Sequence, residues 1–212
     1  MPEQHAASDF VSLFPSDDIP GIIQSILTSV APIARIFLCE KENDLTKRFY
    51  KVLCRNPEYR RGPIEPRLES SIVVFDGEEP DITGRADIIF TCGRGLETYF
   101  PVEAKRLYVT YPSGKMAPLV TDYIKDGMMR YVTGQYASKM VEGAMLGYVC
   151  DNTVSAARKA LDATVTSNTA TLRLAGDGAW QTSALAVTPP IDETRHDLDG
   201  RKFTMYHILT KV

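Results

Sequence analysis

Two short segments, Gly84-Arg85-Ala86-Asp87-Ile88-Ile89-Phe90 and Phe100-Pro101-Val102-Glu103-Ala104-Lys105-Arg106-Leu107, set charged side chains inside apolar, strand-like runs. A lone carboxylate or ammonium buried in a sheet costs several kcal/mol unless it is paired or bound to a metal. On a strand, residues two apart share a face, so Glu103 and Lys105 point one way while Val102 and Ala104 point the other. Asp87, on the preceding strand of an expected hairpin, comes close enough for its carboxylate and that of Glu103 to grip one hard cation. Oxygen-only donors of this kind suit Mg²⁺, with Mn²⁺ as a substitute. Such an ion orients a phosphodiester, lowers the pKa of a bound water and stabilises charge on the leaving oxygen. A lysine beside it holds the attacking water or neutralises the transition state.

The elements that must position these groups follow from periodicity. Residues 1 to about 20 are polar, broken by Pro15 and Pro20, and read as a poorly ordered lead-in; residues 21–212 read as one domain. Ile22, Ile23, Ile26, Leu27, Val30, Ile33, Ile36 and Phe37 follow helical spacing, with Pro32 as a break or a first-turn residue. Glu42 to Leu53 sets Leu45, Phe49, Val52 and Leu53 on one stripe, an amphipathic helix entered through acidic residues that suit its positive end. Strands are expected at Ser71–Phe75, Ala86–Thr91 and Tyr99–Val109, with a turn over Asp76–Pro80 and a hairpin link at Cys92-Gly93-Arg94-Gly95. A helix from Val120 to Val141 and a strand from Gly143 to Cys150 then suggest a right-handed crossover. Beyond Asp151 the pattern predicts a helix over Val154–Ala163, a short strand at Thr171–Leu174 and a closing strand at Lys202–Leu209. The class is α/β with a central mixed sheet flanked by helices.

These residues resemble the PD-(D/E)XK nuclease superfamily, whose pattern is an acid on one strand and acid-x-Lys on the next. Asp87 is similar to the first acid and Glu103-Ala104-Lys105 to the second half, sixteen positions on. The element order from about Glu40 to Cys150 is similar to the restriction-endonuclease-like αβββαβ core. The resemblance implies metal ligation by Asp87 and Glu103, assistance to the nucleophile by Lys105, and a further glutamate from the first core helix, Glu42 or else Glu40. Gln135 and Tyr136 on the crossover helix are adjacent, a departure from the superfamily's Gln-x-x-x-Tyr spacing. An acid-x-Lys triplet alone carries little, since roughly one or two arise by chance in a chain of this length. Context lifts the signal: the single copy lies in an apolar strand, after Asp87, with helices in the expected order.

Bland readings stand beside these. Glu103 and Lys105 also suit a half-exposed cross-strand pair, and Glu42 an N-terminal helix acid. Arg130 is expected to pair with Asp126 one turn earlier rather than to contact phosphate. Tyr131 and Tyr136 read as core, and His196 and His207 as satisfied structural histidines. Gly127 and Gly134 within the crossover helix call for close packing on the sheet.

A net charge of −3 argues against a protein that coats nucleic acid, yet leaves room for a local basic cleft. Lys47, Arg48, Lys51 and Arg55 gather in one place, Arg60 and Arg61 in another. Cys39, Cys54, Cys92 and Cys150 lack any C-x-x-C pair or zinc-site spacing to histidine and read as reduced thiols, which with the absence of a leader or an apolar span points to a cytoplasmic protein. No G-x-x-x-x-G-K-[ST] or G-x-G-x-x-G loop marks a nucleotide-using enzyme. Two functions follow: a Mg²⁺-dependent nuclease acting on DNA in restriction, repair or defence against mobile elements, or a catalytically silent nuclease-fold subunit that binds nucleic acid or scaffolds a complex. With no zinc finger or helix-turn-helix evident, target choice falls to a protein partner, a homo-oligomer or DNA structure itself.

Overall fold

A computed structural model of the chain describes residues 14–74, 80–93 and 98–212. Seven strands form one mixed sheet in the order β1 (Ile64–Val74), β2 (Asp81–Cys92), β3 (Tyr99–Leu107), β6 (Glu142–Val149), β9 (Arg201–Lys211), β8 (Asp192–Leu198) and β7 (Gln181–Thr182). β3 with β6 and β6 with β9 run parallel, and the other pairs are antiparallel. A separate two-stranded ribbon, β4 (Val109–Thr110) and β5 (Met116–Ala117), follows the end of β3. In chain order the elements that carry the site are α2 (Glu42–Leu53), β1, β2, β3, a crossover helix and β6.

α2 has the expected limits, with Leu45, Phe49 and Leu53 buried and Val52 only half-buried. Its Thr46 hydroxyl lies 3.2 Å from the Tyr148 hydroxyl of β6, so α2 covers the face that carries Val102, Ala104 and Tyr148. α1 (Ile19–Val30) packs against α2. Two expectations about the first helix need correction. The core begins before Ile22, because Phe14 and Ile19 are already buried. The helix stops at Val30 just before Pro32, the break that is one of the two readings of that proline, so Ile36 and Phe37 are exposed rather than on a core stripe. Residues 1–13, the expected strand end Phe75, the turn residues 76–79 and Arg94-Gly95 of the hairpin link lie outside the described residues.

The crossover helix covers the opposite face. It consists of α4 (Val120–Tyr123), a π-helical segment Ile124–Met128 and α5 (Met129–Val132). It ends nine residues short of Val141, because Gly134 at φ +78° and Ala137 at φ +53° turn the chain out of the helix. Gly127 is the close approach expected: a Cβ there would stand 2.3 Å from Met145 Cε and 3.5 Å from Lys105 Cγ. On β6, Gly143 leaves room for Tyr131 of the same helix, where a Cβ would stand 2.7 Å from its ring. The helix therefore lies directly on the row that carries Glu103 and Lys105.

The C-terminal part departs furthest from expectation. α6 runs Val154–Ser167, capped by the Thr153 hydroxyl, which accepts the Ala156 N–H at 3.1 Å. Residues 171–173 form turns, not a strand, and Leu174 makes one isolated bridge to His196. β8 joins β9 through Asp199 and Gly200, both at positive φ (56° and 86°), the geometry that suits a two-residue hairpin turn. Among the described residues no helix is long and apolar enough to cross a membrane.

His196 and His207 are structural, as expected. His196 Nδ1 lies 2.7 Å from the Leu172 carbonyl, which only accepts, so Nδ1 carries the proton and Nε2 accepts from Thr194 Oγ1 at 2.8 Å. Thr194 Oγ1 must then accept from His207 Nε2 at 2.9 Å, and His207 Nδ1 accepts from the Tyr123 hydroxyl at 3.0 Å. Burial lowers both imidazoles below the usual histidine value. Their contribution to stability is thus intact above the unfolded histidine pKa of about 6.5 and is lost as pH falls below it. Nitrogen-15 NMR is expected to show both rings still neutral at a pH where a free imidazole is protonated, His196 as the Nδ1–H and His207 as the Nε2–H tautomer. Titration of either ring near its ordinary value contradicts the assignment.

Candidate active site

Pairing between β2 and β3 ends at Ile88 and Val102. One residue further on, the Asp87 carboxylate takes the Ala104 N–H at 2.7 Å, so a side chain occupies the place of the next ladder bond. The acid-x-Lys strand is thereby held open at the point where its charged residues begin. Glu103, 1% exposed, accepts from Lys105 Nζ at 2.6 Å and from Arg130 Nη1 at 2.9 Å, both on Oε1. Its Oε2 is buried with no hydrogen-bond partner among the described residues.

Glu42 arrives from the first turn of α2, where a negative charge suits the helix end. Its Oε1 accepts from Lys105 Nζ at 3.3 Å and its Oε2 from the Arg106 N–H at 2.9 Å. Both the helix-acid reading and the site reading of this residue therefore describe the same placement. Glu40 lies elsewhere: its carboxylate takes Arg48 Nη2 at 2.7 and 2.8 Å and the Ile36 N–H at 2.8 Å, fastening the loop before α2. Lys105 also donates to the Ala104 carbonyl at 2.9 Å, so three acceptors saturate its ammonium.

The structure thus brings Glu42, Asp87, Glu103 and Lys105 together. Arg130 corrects the sequence reading, since it pairs with Glu103 across the sheet face and not with Asp126. Nη1 also reaches the Tyr136 hydroxyl at 2.5 Å, and that hydroxyl donates to the Arg85 carbonyl two residues before Asp87. Tyr131 and Tyr136 are fully buried. The Gln135 side chain lies against Gly84, and the Gln135 backbone carbonyl accepts from the Thr83 hydroxyl. On β1, Glu69 sits opposite Asp87, between the pairs Leu68–Ile88 and Ser70–Ala86, in a left-handed conformation at φ +48°. Its carboxylate pairs with Arg85 and with Lys47, and a cavity of about 140 Å³ lined by Asn43, Glu69, Arg85, Ala86 and Asp87 forms the mouth beside Asp87. A larger, mostly apolar hollow of about 550 Å³ between α1 and α3 (Pro57–Arg61) contains none of the site residues.

Burial sets the electrostatics. It pushes the Glu103 carboxyl up to about 7, assisted by Asp87 and opposed by Lys105 and Arg130. Burial also raises Asp87 against the Ala104 N–H, and raises Glu42 against Lys105. Burial pulls the Lys105 ammonium downward, but Glu103 and Glu42 outweigh it and leave its pKa above the ordinary lysine value. Among the described residues no three His, Cys, Asp or Glu side chains are grouped to hold a metal ion as they stand. The donor chemistry nevertheless fits a hard cation, for Asp87 and Glu103 offer only oxygens and Glu103 Oε2 lacks a partner.

Comparison with protein-family models, with curated proteins and with solved structures finds no match for this chain.

A raised carboxyl pKa is a cost to the folded state: absent below the unfolded glutamate value near 4.5, it grows as pH rises and is complete above about 7. Glu103→Gln removes the charge and keeps the shape. Denaturant titrations of both proteins at pH 5 and pH 8 are expected to show the variant gaining on the order of 2 kcal/mol relative to wild type at the higher pH. A difference independent of pH places the Glu103 pKa at its ordinary value and contradicts this account.

Proposed function

We propose that this chain is a metal-dependent nuclease that hydrolyses DNA phosphodiester bonds on a restriction-endonuclease-like αβββαβ core. One observation carries the reading: among the described residues Glu103 Oε2, beside Asp87, is buried without a partner, while Lys105 Nζ lies 2.6 Å from the other oxygen of the same carboxylate. A buried acceptor left open is costly unless something arrives to fill it. The chain order of α2, β1, β2, β3, the crossover helix and β6 supports the core assignment.

In this reading Asp87 and Glu103 hold Mg²⁺, or Mn²⁺ in its place, and Glu42 completes the carboxylate set from the start of α2. Bound there, the ion supplies an activated water and neutralises the charge that develops on the phosphate. The chain's own residues do the rest. Asp87 is oriented by the Ala104 N–H and Glu42 by the Arg106 N–H, so each carboxylate has a backbone anchor. Lys105, whose ammonium lies between Glu103 and Glu42, would hold the attacking water or neutralise charge on the phosphate. Sheet and crossover helix keep Glu103 out of bulk solvent, which strengthens every charge interaction within the site.

The saturated Lys105 ammonium supports a second reading, a catalytically silent subunit of the same fold in which three acceptors and one cation are purely structural. Target choice in either case rests with a protein partner, a homo-oligomer or DNA structure.

Supercoiled plasmid, linear duplex and single-stranded DNA incubated with Mg²⁺, Mn²⁺ or EDTA separate the readings. Metal-dependent cutting is expected for wild type, reduced about 100-fold or more in Asp87→Asn and Lys105→Ala at unchanged fold. Cutting that survives in both variants, or none by folded wild type under any condition, contradicts the nuclease reading.

A further inference from the structure

Arg130 has more binding capacity than its contacts use. Its side chain is 33% exposed, and Nη1 alone serves both Glu103 Oε1 and the Tyr136 hydroxyl. Among the described residues Nη2 and Nε take no hydrogen-bond partner, so one edge of the planar fork remains free. The guanidinium is also held in orientation: its Cζ stands 5.5 Å from the centre of the Tyr136 ring, and the Tyr136 hydroxyl is anchored to the Arg85 carbonyl of β2.

Glu103 does not require this cation. Lys105 Nζ already sits closer to the same oxygen, 2.6 Å against 2.9 Å. Charge balance gives the arginine a different purpose. With Glu42, Asp87 and Glu103 ionised against Lys105 and Arg130, the cluster is one charge negative. A divalent ion turns it one positive, and a single phosphodiester group brings it to neutrality. Without Arg130 the loaded site would have no surplus charge to receive the substrate. A fixed fork with a free edge also suits the paired oxygens of a phosphate better than a lysine would.

We propose that Arg130 contacts a non-bridging oxygen of the phosphodiester bound at this site, with Tyr136 as its positioning residue. The assignment rests on the nuclease reading and adds the group that receives the substrate's charge.

The test compares wild type, Arg130→Ala and Arg130→Lys by thermal unfolding, by Mn²⁺ affinity without DNA, by binding of a short duplex in Ca²⁺ over a range of salt, and by single-turnover cleavage in Mg²⁺. Arg130→Ala is expected to keep Mn²⁺ affinity within about threefold, to lower the salt slope of duplex binding by about one, and to slow cleavage about 100-fold. Arg130→Lys, which keeps the charge without the fork, is expected to retain the salt slope and still lose about tenfold in cleavage. Added methylguanidinium should restore part of the Arg130→Ala rate. If the loss instead follows a loss of Mn²⁺ affinity with the salt slope unchanged, Arg130 serves only Glu103 and the proposal falls. Full-rate cleavage by Arg130→Ala sinks the Arg130 assignment alone; absence of both cleavage and duplex binding in wild type sinks the nuclease reading and this assignment with it.

Discussion

The carboxylate of Glu103 is enclosed by the sheet and the crossover helix, and much of the surrounding structure is arranged to tolerate it. An isolated carboxylate in that position would cost several kcal/mol. Lys105 and Arg130 reach it from one side, while Asp87 approaches with charge of the same sign. Burial and Asp87 push its pKa up to about 7 against Lys105 and Arg130, and among the described residues one of its oxygens is unpaired. A purely structural ion pair would have little reason to retain a second acid beside it.

Backbone geometry maintains this poise. Asp87 replaces a ladder bond and so holds β2 and β3 apart where the charges lie. Gly127, in the π-helical segment, lets the crossover helix settle against Met145 and the Lys105 stem; a methyl group there would have to displace the Met145 side chain. π-helical segments often mark functional sites, and this one lies directly over the acid-x-Lys strand. Behind it, Tyr123 joins the ordered chain of Thr194, His196 and His207, which ties the helix to the far half of the sheet.

Legibility in the sequence followed the range of the interactions. α2 could be read to its exact limits because an acidic start and an apolar stripe are local signals. The juxtaposition of Asp87, Glu103 and Lys105 was legible because strand alternation and a hairpin fix it. The partner of Arg130 was not, since it lies 27 residues away and a local alternative, Asp126, stood one turn off. The crossover helix stops short of the expected Val141 because Gly134, at positive φ, turns the chain out of it. The β8–β9 hairpin carried a readable signal in Asp199-Gly200, but the polar character of β8 obscured it. Glu69 had no sequence signal, because only the β1–β2 register places it opposite Asp87.

The central claim is that the open Glu103 oxygen and Asp87 form a metal centre. A crystal of the protein soaked in Mn²⁺, with data collected for anomalous scattering, tests it most directly. The account predicts one strong anomalous peak in direct contact with Glu103 Oε2 and an Asp87 oxygen, with Lys105 Nζ withdrawn from Glu103. Density that shows Lys105 still on Glu103 and no ion beside Asp87, in crystals saturated with Mn²⁺, would contradict it.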